Sequence, residues 1–263
     1  MPNLLIDTGV NLYYQISGNG YPVVLISGLG ADHTAWDFIL PYLHNHYQII
    51  TFDNRGAGRS NTPEQHYTTE MMAADVIGLM DALQIKKAHI IGHSMGGAIA
   101  QHIALSAPDR INKLILINSF SKINHLAYYT LLGRLQMAEL DLPLRTKIET
   151  NLSWLYSNRS LQDKNQVMEI IDRICKNPHP QSLLGFKNQV SACLQHDTQE
   201  KIDQIIHPTL IVFGSNDILI TIDHSKKLIK IPNSKLERIP GAHMLIVESP
   251  FKTSKAILNH LAI

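Results

Sequence analysis

Apolar runs alternate with amphipathic stretches over much of the chain, and this pattern predicts strands and helices in alternation. PVVLIS (22–27), QIITFD (48–53) and AHIIG (88–92) are mainly apolar, as strands covered on both faces are. The alternating segment VNLYYQI (10–16) predicts a half-buried strand. The other elements predicted in this part are helices over 34–44, 71–83 and 95–107 and a strand over 113–118. This order favours an α/β fold with a mostly parallel sheet flanked by helices.

The alternation stops after residue 120 and returns beyond residue 203. The intervening segment shows helical patterns and no buried strand, with breaks predicted at Leu142-Pro143, Asn158-Arg159-Ser160 and 177–180. The elements predicted after it are strands over 209–214 and 235–239 and helices over 221–231 and 250–262. Because the intervening segment is too long for a loop, we predict a core formed by 1–120 and 204–263 and an inserted helical cap over 121–203.

The composition of the chain argues against several classes of partner. The 263 residues include 23 Lys and Arg and 22 Asp and Glu, a formal net charge of +1. This balance gives no general attraction to nucleic acid or an anionic membrane, so we expect neither as a partner. The start of the chain lacks the pattern of a signal peptide, and no apolar run approaches the roughly 18 residues of a membrane span. Cys175 and Cys193 are too few for a disulfide framework, so we expect reduced thiols and a cytoplasmic protein.

A strand-to-helix junction carries the first candidate for chemistry. Strand AHIIG leads into the sequence GHSMGG (92–97), and a predicted helix follows directly. The pattern G-x-S-x-G at such a junction is typical of a nucleophile elbow, in which the serine adopts a strained backbone conformation. Its neighbours two residues away must be small, and Gly92 and Gly96 are. The helix N-terminus also directs backbone N–H groups toward Ser94.

A serine hydroxyl needs a base, and the base needs an orienting carboxylate. Asp217 follows the predicted strand TLIVFG, and His243 follows the predicted strand KLERI. Because the carboxyl ends of parallel strands meet at one edge of the sheet, we expect both residues near Ser94. The three residues therefore predict a Ser-His-Asp triad, with the residues in the order serine, acid, histidine along the chain.

Taken together, these motifs resemble those of the α/β-hydrolase superfamily over essentially the whole chain. The matching segments are SGLG (27–30), DNRGAGRS (53–60), GHSMGG (92–97), FGSND (213–217) and PGAHMLIVESP (240–250). The chain is most similar to capped members with small substrates, namely biotin-pathway carboxylesterases, 3-oxoadipate enol-lactonases and C–C bond hydrolases. The resemblance implies an eight-stranded sheet and a cap at 121–203.

The resemblance also implies roles for individual residues. Ser94 would be the nucleophile, His243 the general base and then acid, and Asp217 its orienting partner. The backbone N–H groups of Leu29 and Met95 would form the oxyanion hole. His93 would pack behind the nucleophile. Ser27 stands where many relatives have histidine, a departure that leaves the backbone donor intact.

The motif DNRGAGRS predicts a turn held by Asp53, Arg55 and Ser60, with positive φ at two of its glycines. Asp53 and Glu248, which lies five residues past His243, are also alternative triad acids, although less favoured ones. The scattered histidines, including those at 44, 46 and 179, lack the spacing of a metal site, so we expect no metal and no other cofactor.

Aromatic residues are the candidates for substrate contacts. Trp36 either lines the pocket or packs the first helix. In the cap, the aromatic candidates serve either as pocket wall or as cap core, and they are Tyr128, Tyr129, Trp154, Tyr156 and Phe186.

The sequence thus predicts a cofactor-free serine hydrolase acting on a small or medium carboxylic ester, thioester or lactone through an acyl-enzyme. Two alternatives remain at this point. One is hydrolysis of a C–C bond in a vinylogous diketone, and the other is a hydrolase-like receptor with little turnover. The expected partners are an ester-like small molecule and water. The acyl group is either free or borne by a carrier protein, and the protein is a monomer or a homodimer.

Overall fold

The computed structural model describes residues 3–262, and its centre is an eight-stranded sheet. The strands lie in the order β1-β2-β4-β3-β5-β6-β7-β8. Pairing is antiparallel between β1 and β2 and between β2 and β4, and parallel elsewhere. The strands are β1 (Asn3–Leu5), β2 (Asn11–Ser17), β3 (Pro22–Ile26), β4 (Gln48–Phe52), β5 (Ala88–His93), β6 (Ile111–Ile117), β7 (Thr209–Gly214) and β8 (Ser234–Ile239). The predicted α/β class and mostly parallel sheet are confirmed.

Helices cover both faces of the sheet, and five of them lie between β6 and β7. The helices are α1 (Leu40–Leu43), α2 (Thr69–Ala82), α3 (Met95–Ser106), α4 (His125–Glu139), α5 (Leu144–Leu155), α6 (Asn158–Gln162), α7 (Lys164–Cys175), α8 (Leu183–Gln195), α9 (Ile222–Leu228), α10 (Leu245–Glu248) and α11 (Pro250–Ala262). We refer to α4–α8 as the cap, and no strand interrupts this segment within residues 3–262. None of the helices described is long and apolar enough to cross a membrane.

Side-chain caps explain where several helices begin. Thr68 accepts a hydrogen bond from the N–H of Met71 at the start of α2, and Asn124 accepts one from the N–H of Ala127 at the start of α4. Ser182 does the same for α8. Such caps satisfy backbone donors that have no partner within the helix.

Three predicted details of the elements were wrong. The segment 34–44 is a 3₁₀ turn (His33–Trp36) followed by α1, because Pro41 at the start of α1 favours a new helix over a continuing one. Asn158-Arg159-Ser160 is the beginning of α6 and not a break, since Ser157 caps it. The short edge strand β1 was not predicted.

The two hydrophobic clusters lie on opposite faces of the sheet. Val24 and Ile26 of β3 belong to one cluster with α2 and α3, whereas Val23 and Leu25 belong to the other with α11. This division follows from the alternation of side chains along a strand. Both clusters include residues of the cap, so the cap packs on the core and encloses space above the carboxyl ends of the strands.

Candidate active site

Ser94 lies at a sharp junction between β5 and α3. Its backbone has φ 54° and ψ −119°, a conformation that L-residues rarely adopt, and its N–H donates to the Ile117 carbonyl at 2.9 Å. A Cβ on Gly92 would overlap the carbonyl of Gly96, and a Cβ on Gly96 would overlap the carbonyl of Ile26. The glycines are therefore required by close backbone packing, as the elbow motif predicts.

The structure brings the three predicted triad residues together. Nε2 of His243 lies 3.0 Å from Ser94 Oγ, and Nδ1 lies 2.8 Å from Asp217 Oδ2. A carboxylate can only accept, so Nδ1 carries the proton and Nε2 is left to accept from the serine hydroxyl. The other Asp217 oxygen accepts from the N–H groups of Leu219 and Ile220 at 2.9 and 2.8 Å, which fixes the carboxylate. All three triad side chains are buried.

Two residues that the motifs did not assign to this role hold the loop of His243. Asn118, buried at the end of β6, donates from Nδ2 to the carbonyls of Ala242 and His243 at 2.9 Å each and accepts from Gly214 N–H at 2.7 Å. His93 donates from Nε2 to the His243 carbonyl at 2.8 Å. Burial lowers the pKa of His93 to about 3, so it stays neutral. The position of Asn118 at a strand end was the only sequence signal for its role.

The competing acids have other partners. Asp53 accepts from the backbone and ring of His33 at 2.7 Å and from Arg59 N–H at 2.8 Å, so it stabilises the turn. Glu248 accepts from the N–H and Oγ of Ser157 at 2.7 Å and from the N–H of Ala242. Neither carboxylate contacts the His243 ring, and Asp217 alone of the three does.

The backbone donors proposed from resemblance are available. Within residues 3–262, neither the Leu29 N–H nor the Met95 N–H donates a backbone hydrogen bond outside regular elements, and Met95 is the first residue of α3. Leu29 lines the cavity described below, whereas the Met95 side chain is buried beneath it. The Leu29 loop is held from the cap, because Gln189 Oε1 accepts from Gly30 N–H at 3.1 Å and Gln189 Nε2 donates to the Arg55 carbonyl at 2.9 Å.

Hydrogen bonds of Ser27 and Trp36 also hold the loop of Leu29. Trp36 Nε1 donates to Ser27 Oγ at 2.9 Å, and that hydroxyl donates to the Asp32 carbonyl at 3.1 Å. Trp36 is 0% exposed. Of its two predicted roles, the structure places it in the packing role.

A cavity of about 710 Å³ opens between the cap and the carboxyl ends of the strands. Ser94 and His243 lie in its wall with Gly28 and Leu29. The cap contributes mainly apolar side chains to it, among them Leu131, Ile148, Leu152, Leu155, Tyr156, Ile170 and Phe186. A largely apolar cavity with a few polar groups is the usual form of a small-molecule site.

Three of the aromatic substrate contacts expected in the cap are absent from this wall. Tyr128 and Tyr129 are exposed and contact each other edge to face, with Tyr129 70% exposed, and Trp154 lies outside the cavity. Helical spacing alone does not show which face of a cap helix turns toward the cavity. Tyr156 and Phe186 do line the cavity.

A cluster of Asp32, His33 and Asp53 has the composition of a cation site. Its polar atoms already have partners, because the Asp32 carboxylate accepts from Thr34 and Asn177 while Asp53 accepts from His33. Burial opposes protonation of His33, but the hydrogen bond to Asp53 and its charge raise the pKa of His33 overall. These bonds account for the cluster as part of the turn.

Comparisons with known proteins agree with this architecture. The chain is 29% identical to a protein named carbamate hydrolase RutD from Caulobacter sp. (strain K31), over 95% of this chain and 96% of that one. It is 30% identical to 3-oxoadipate enol-lactonase 1 of Acinetobacter baylyi, over 93% and 90%. The crystal structure of a hydrolase from Pseudomonas aeruginosa PA01 superposes with a TM-score of 0.90 at 26% identity, covering 100% of this chain and 98% of that one.

The enol-lactonase structure from Burkholderia xenovorans LB400 has the same fold, with a TM-score of 0.91 at 24% identity over the full length of both chains. Residues 21–250 match the family described as the alpha/beta hydrolase fold. The relatives support hydrolase activity, and the chain belongs to the α/β-hydrolase fold family.

Proposed function

We propose that this protein is a serine hydrolase that cleaves a small or medium carboxylic ester, thioester or lactone through an acyl-enzyme. The observation that carries the proposal is the continuous contact from Asp217 through His243 to Ser94 at the wall of a mainly apolar cavity. The names of the enol-lactonase and carbamate hydrolase relatives are consistent with attack on a carbonyl carbon.

In the first half-reaction, Ser94 Oγ bonds to the substrate carbonyl carbon while its proton passes to His243 Nε2. The carbonyl oxygen becomes an oxyanion, which the N–H groups of Leu29 and Met95 stabilise by roughly 3 kcal/mol each. The bond to the leaving oxygen or sulfur then breaks, and His243 Nε2 returns the proton to the leaving group. Asp217 stabilises the imidazolium and holds its orientation throughout.

In the second half-reaction, water takes the place of the leaving group. His243 Nε2 accepts a proton from the water, whose oxygen bonds to the acyl carbon. The second oxyanion collapses, the bond to Ser94 breaks, and the proton returns to Oγ. The products are the free carboxylic acid and the regenerated serine.

The test is hydrolysis of p-nitrophenyl butanoate by the purified protein, together with labelling by a fluorophosphonate. Ser94→Ala is expected to lower kcat by at least about 10³-fold and to abolish labelling. Ser106→Ala is the control, because this exposed serine lies at the other end of α3. A Ser94→Ala variant retaining more than about a tenth of the activity would overturn the assignment.

The same assay separates the alternatives. A panel of esters, thioesters and lactones matched in acyl length ranks the leaving groups by kcat/KM. Faster cleavage of a vinylogous diketone than of any ester would favour C–C hydrolysis. Saturable binding with no turnover of any panel member would favour a receptor.

A further inference from the structure

Among the basic side chains of the cavity wall, Arg134 is the one that stands on the cavity-lining face of α4. Ala127, Leu131, Arg134 and Ala138 of α4 all line the cavity, and their spacing of three or four residues places them on one face of the helix. Three of these are apolar and the fourth carries a guanidinium. Packing against an apolar cavity does not require a charged side chain. Removing the charge of a guanidinium from water also costs a large free energy.

Among residues 3–262, the guanidinium of Arg134 has no hydrogen-bond acceptor and no carboxylate partner. Its Nε is buried without a hydrogen bond among the described residues, and Arg134 takes part in none of the ion pairs found there. Its neighbours are the Phe186 ring, 5.7 Å from Cζ, and the Cys193 thiol. Burial raises the pKa of that thiol to about 12, so it offers no negative charge at neutral pH.

The other basic groups of the wall are already engaged. Arg173 pairs with Asp37 at 2.5 Å, and Lys176 pairs with Asp172 at 2.8 Å. Lys147 donates to the carbonyl of Ala138 at 2.8 Å. Burial lowers the pKa of Arg134 to about 10, which still leaves it charged at neutral pH. Within the described part of the chain, Arg134 is therefore the wall cation that combines a charge without a carboxylate partner with a buried Nε that has no hydrogen bond.

Phe186 lies close both to Arg134 and to the loop of Leu29. The edge of its ring lies 3.7 Å from where a Cβ on Gly30 would be, and Gly30 adjoins Leu29. The centroid of the same ring lies 5.7 Å from Arg134 Cζ. Arg134 therefore lines the same cavity as the loop that would hold the reacting carbonyl, with Phe186 near both.

We propose that Arg134 binds a carboxylate of the substrate, so that the enzyme selects short acidic esters or lactones. This inference rests on the proposed hydrolase function and names the substrate class for that site. A carboxylate is the partner that suits a planar guanidinium, because two parallel hydrogen bonds can form. The anion restores the interactions that Arg134 lost on burial, and neutral esters of equal length cannot.

The kinetic test compares mono-p-nitrophenyl glutarate with p-nitrophenyl hexanoate, whose acyl chains have similar lengths. The ratio of kcat/KM for the acidic ester to that for the neutral ester is expected to fall about tenfold to a hundredfold in Arg134→Met. Most of this loss should be in KM, and Arg134→Lys should recover part of it. Lys187→Met is the control, because this exposed cap lysine lies outside the cavity wall and its loss changes the net charge equally.

A binding experiment keeps the inference separate from the hydrolase assignment. Glutarate and its neutral diamide are titrated into Ser94→Ala by calorimetry, with and without Arg134→Met. Glutarate is expected to bind more tightly than the diamide, and Arg134→Met is expected to remove that difference. Unchanged ratios in the kinetic test, or equal binding of glutarate with and without Arg134, would overturn the inference. Glutarate binding without turnover of any ester would instead overturn the hydrolase function alone.

Discussion

The hydrogen-bond partners of single carboxylates distinguish the triad acid from its competitors. Asp217 is one of three acids that sequence reasoning could place near His243, and only its carboxylate contacts the ring. Two backbone N–H groups fix its second oxygen, so the carboxylate cannot rotate away. In the proposed mechanism Asp217 contributes orientation and charge, and a neutral amide would supply neither in the same way.

Asp217→Asn is expected to lower kcat by roughly 10³ to 10⁴-fold while leaving the protein folded, because the amide favours the wrong His243 tautomer. The measurement is steady-state hydrolysis of p-nitrophenyl butanoate with circular dichroism as the folding check. Asp223→Asn is the control, since this exposed acid on α9 pairs only with Lys226. A nearly silent Asp217→Asn together with an inactive, folded Glu248→Gln would show that the acid is misassigned.

Arg134 is expected to lower the stability of the folded protein while providing the proposed selectivity for acidic substrates. A half-buried guanidinium without a carboxylate partner among the described residues costs free energy that an apolar side chain of similar volume does not. Arg134→Met is therefore expected to raise the free energy of unfolding by about 1–3 kcal/mol, measured by urea denaturation without ligand. Lys187→Met should leave it unchanged. A destabilised Arg134→Met would mean that the charge has a stabilising partner.

At the element scale, one cap helix rests directly on a loop of the core. Gly185 of α8 and Gly56 approach so closely that a Cβ on Gly185 would overlap the Gly56 carbonyl. Gly133 of α4, in contrast, has nothing within 4 Å of its Cβ position. The two glycines therefore differ in what a methyl group would encounter, although both lie within cap helices.

Gly185→Ala is expected to lower the free energy of unfolding by about 1–3 kcal/mol, because the added methyl displaces α8 from the core. Gly133→Ala should have no effect or raise it by up to about 1 kcal/mol, because alanine favours a helix. Chemical denaturation measures both, and limited proteolysis of the cap reports undocking of α8. Equal effects of the two substitutions would contradict the close contact.

Glu248 connects α10 with the first turn of α6, and it also accepts from the N–H of Ala242 in the loop of His243. In Glu248→Gln one of the two oxygens becomes a donor, so one of these N–H groups faces another N–H. We expect kcat to fall about tenfold with about 1–2 kcal/mol lost from the free energy of unfolding. Glu237→Gln, on the exposed strand β8, is the control and should change neither. Unchanged kcat in Glu248→Gln would show that the loop does not depend on this carboxylate.

The strands covered on both faces were predictable from the sequence, whereas the short edge strand β1 and the short helix α6 were not. The runs that became β3, β4, β5 and β7 are apolar because helices cover both faces of the sheet. The strand β1 has three residues at the sheet edge, where pairing with β2 defines it more than its composition does. The short helix α6 depends on the Ser157 cap and on Glu248, a contact across 91 residues.

The residues of the candidate site likewise divide into those that the sequence predicts and those that it does not. The triad was predictable because strand ends place its members at one edge of the sheet whatever the loops do. The cavity wall depends on which face of each cap helix turns inward, and this is decided by packing between helices. Arg134 was overlooked for that reason, while exposed Tyr129 was a candidate.

At the scale of the whole molecule, buried neutral histidines link stability to pH. Burial lowers the pKa of His93 and of His196 to about 3, below the unfolded value of 6.5. The unfolded chain therefore binds protons below pH 6.5 that the folded protein does not, so stability falls as the pH falls toward 3. At pH 5 each of these histidines lowers the stability by about 2 kcal/mol.

Urea denaturation at pH 7.5 and pH 5 measures this dependence. His196→Gln should reduce the loss of stability between the two pH values by about 2 kcal/mol, because glutamine does not titrate. His179→Gln is the control, because this exposed histidine lies in the loop after α7. An unchanged pH dependence in His196→Gln would show that His196 is protonated in the folded protein.

Gln189 makes the loop of Leu29 depend on the cap. Its side chain reaches from α8 to the N–H of Gly30 and to the carbonyl of Arg55, so a cap helix supplies part of the support for that loop. Deleting the cap would therefore remove two hydrogen bonds from the core as well as the wall of the cavity. A different helical segment grafted in its place would need a donor and an acceptor at the position of Gln189 to keep both contacts.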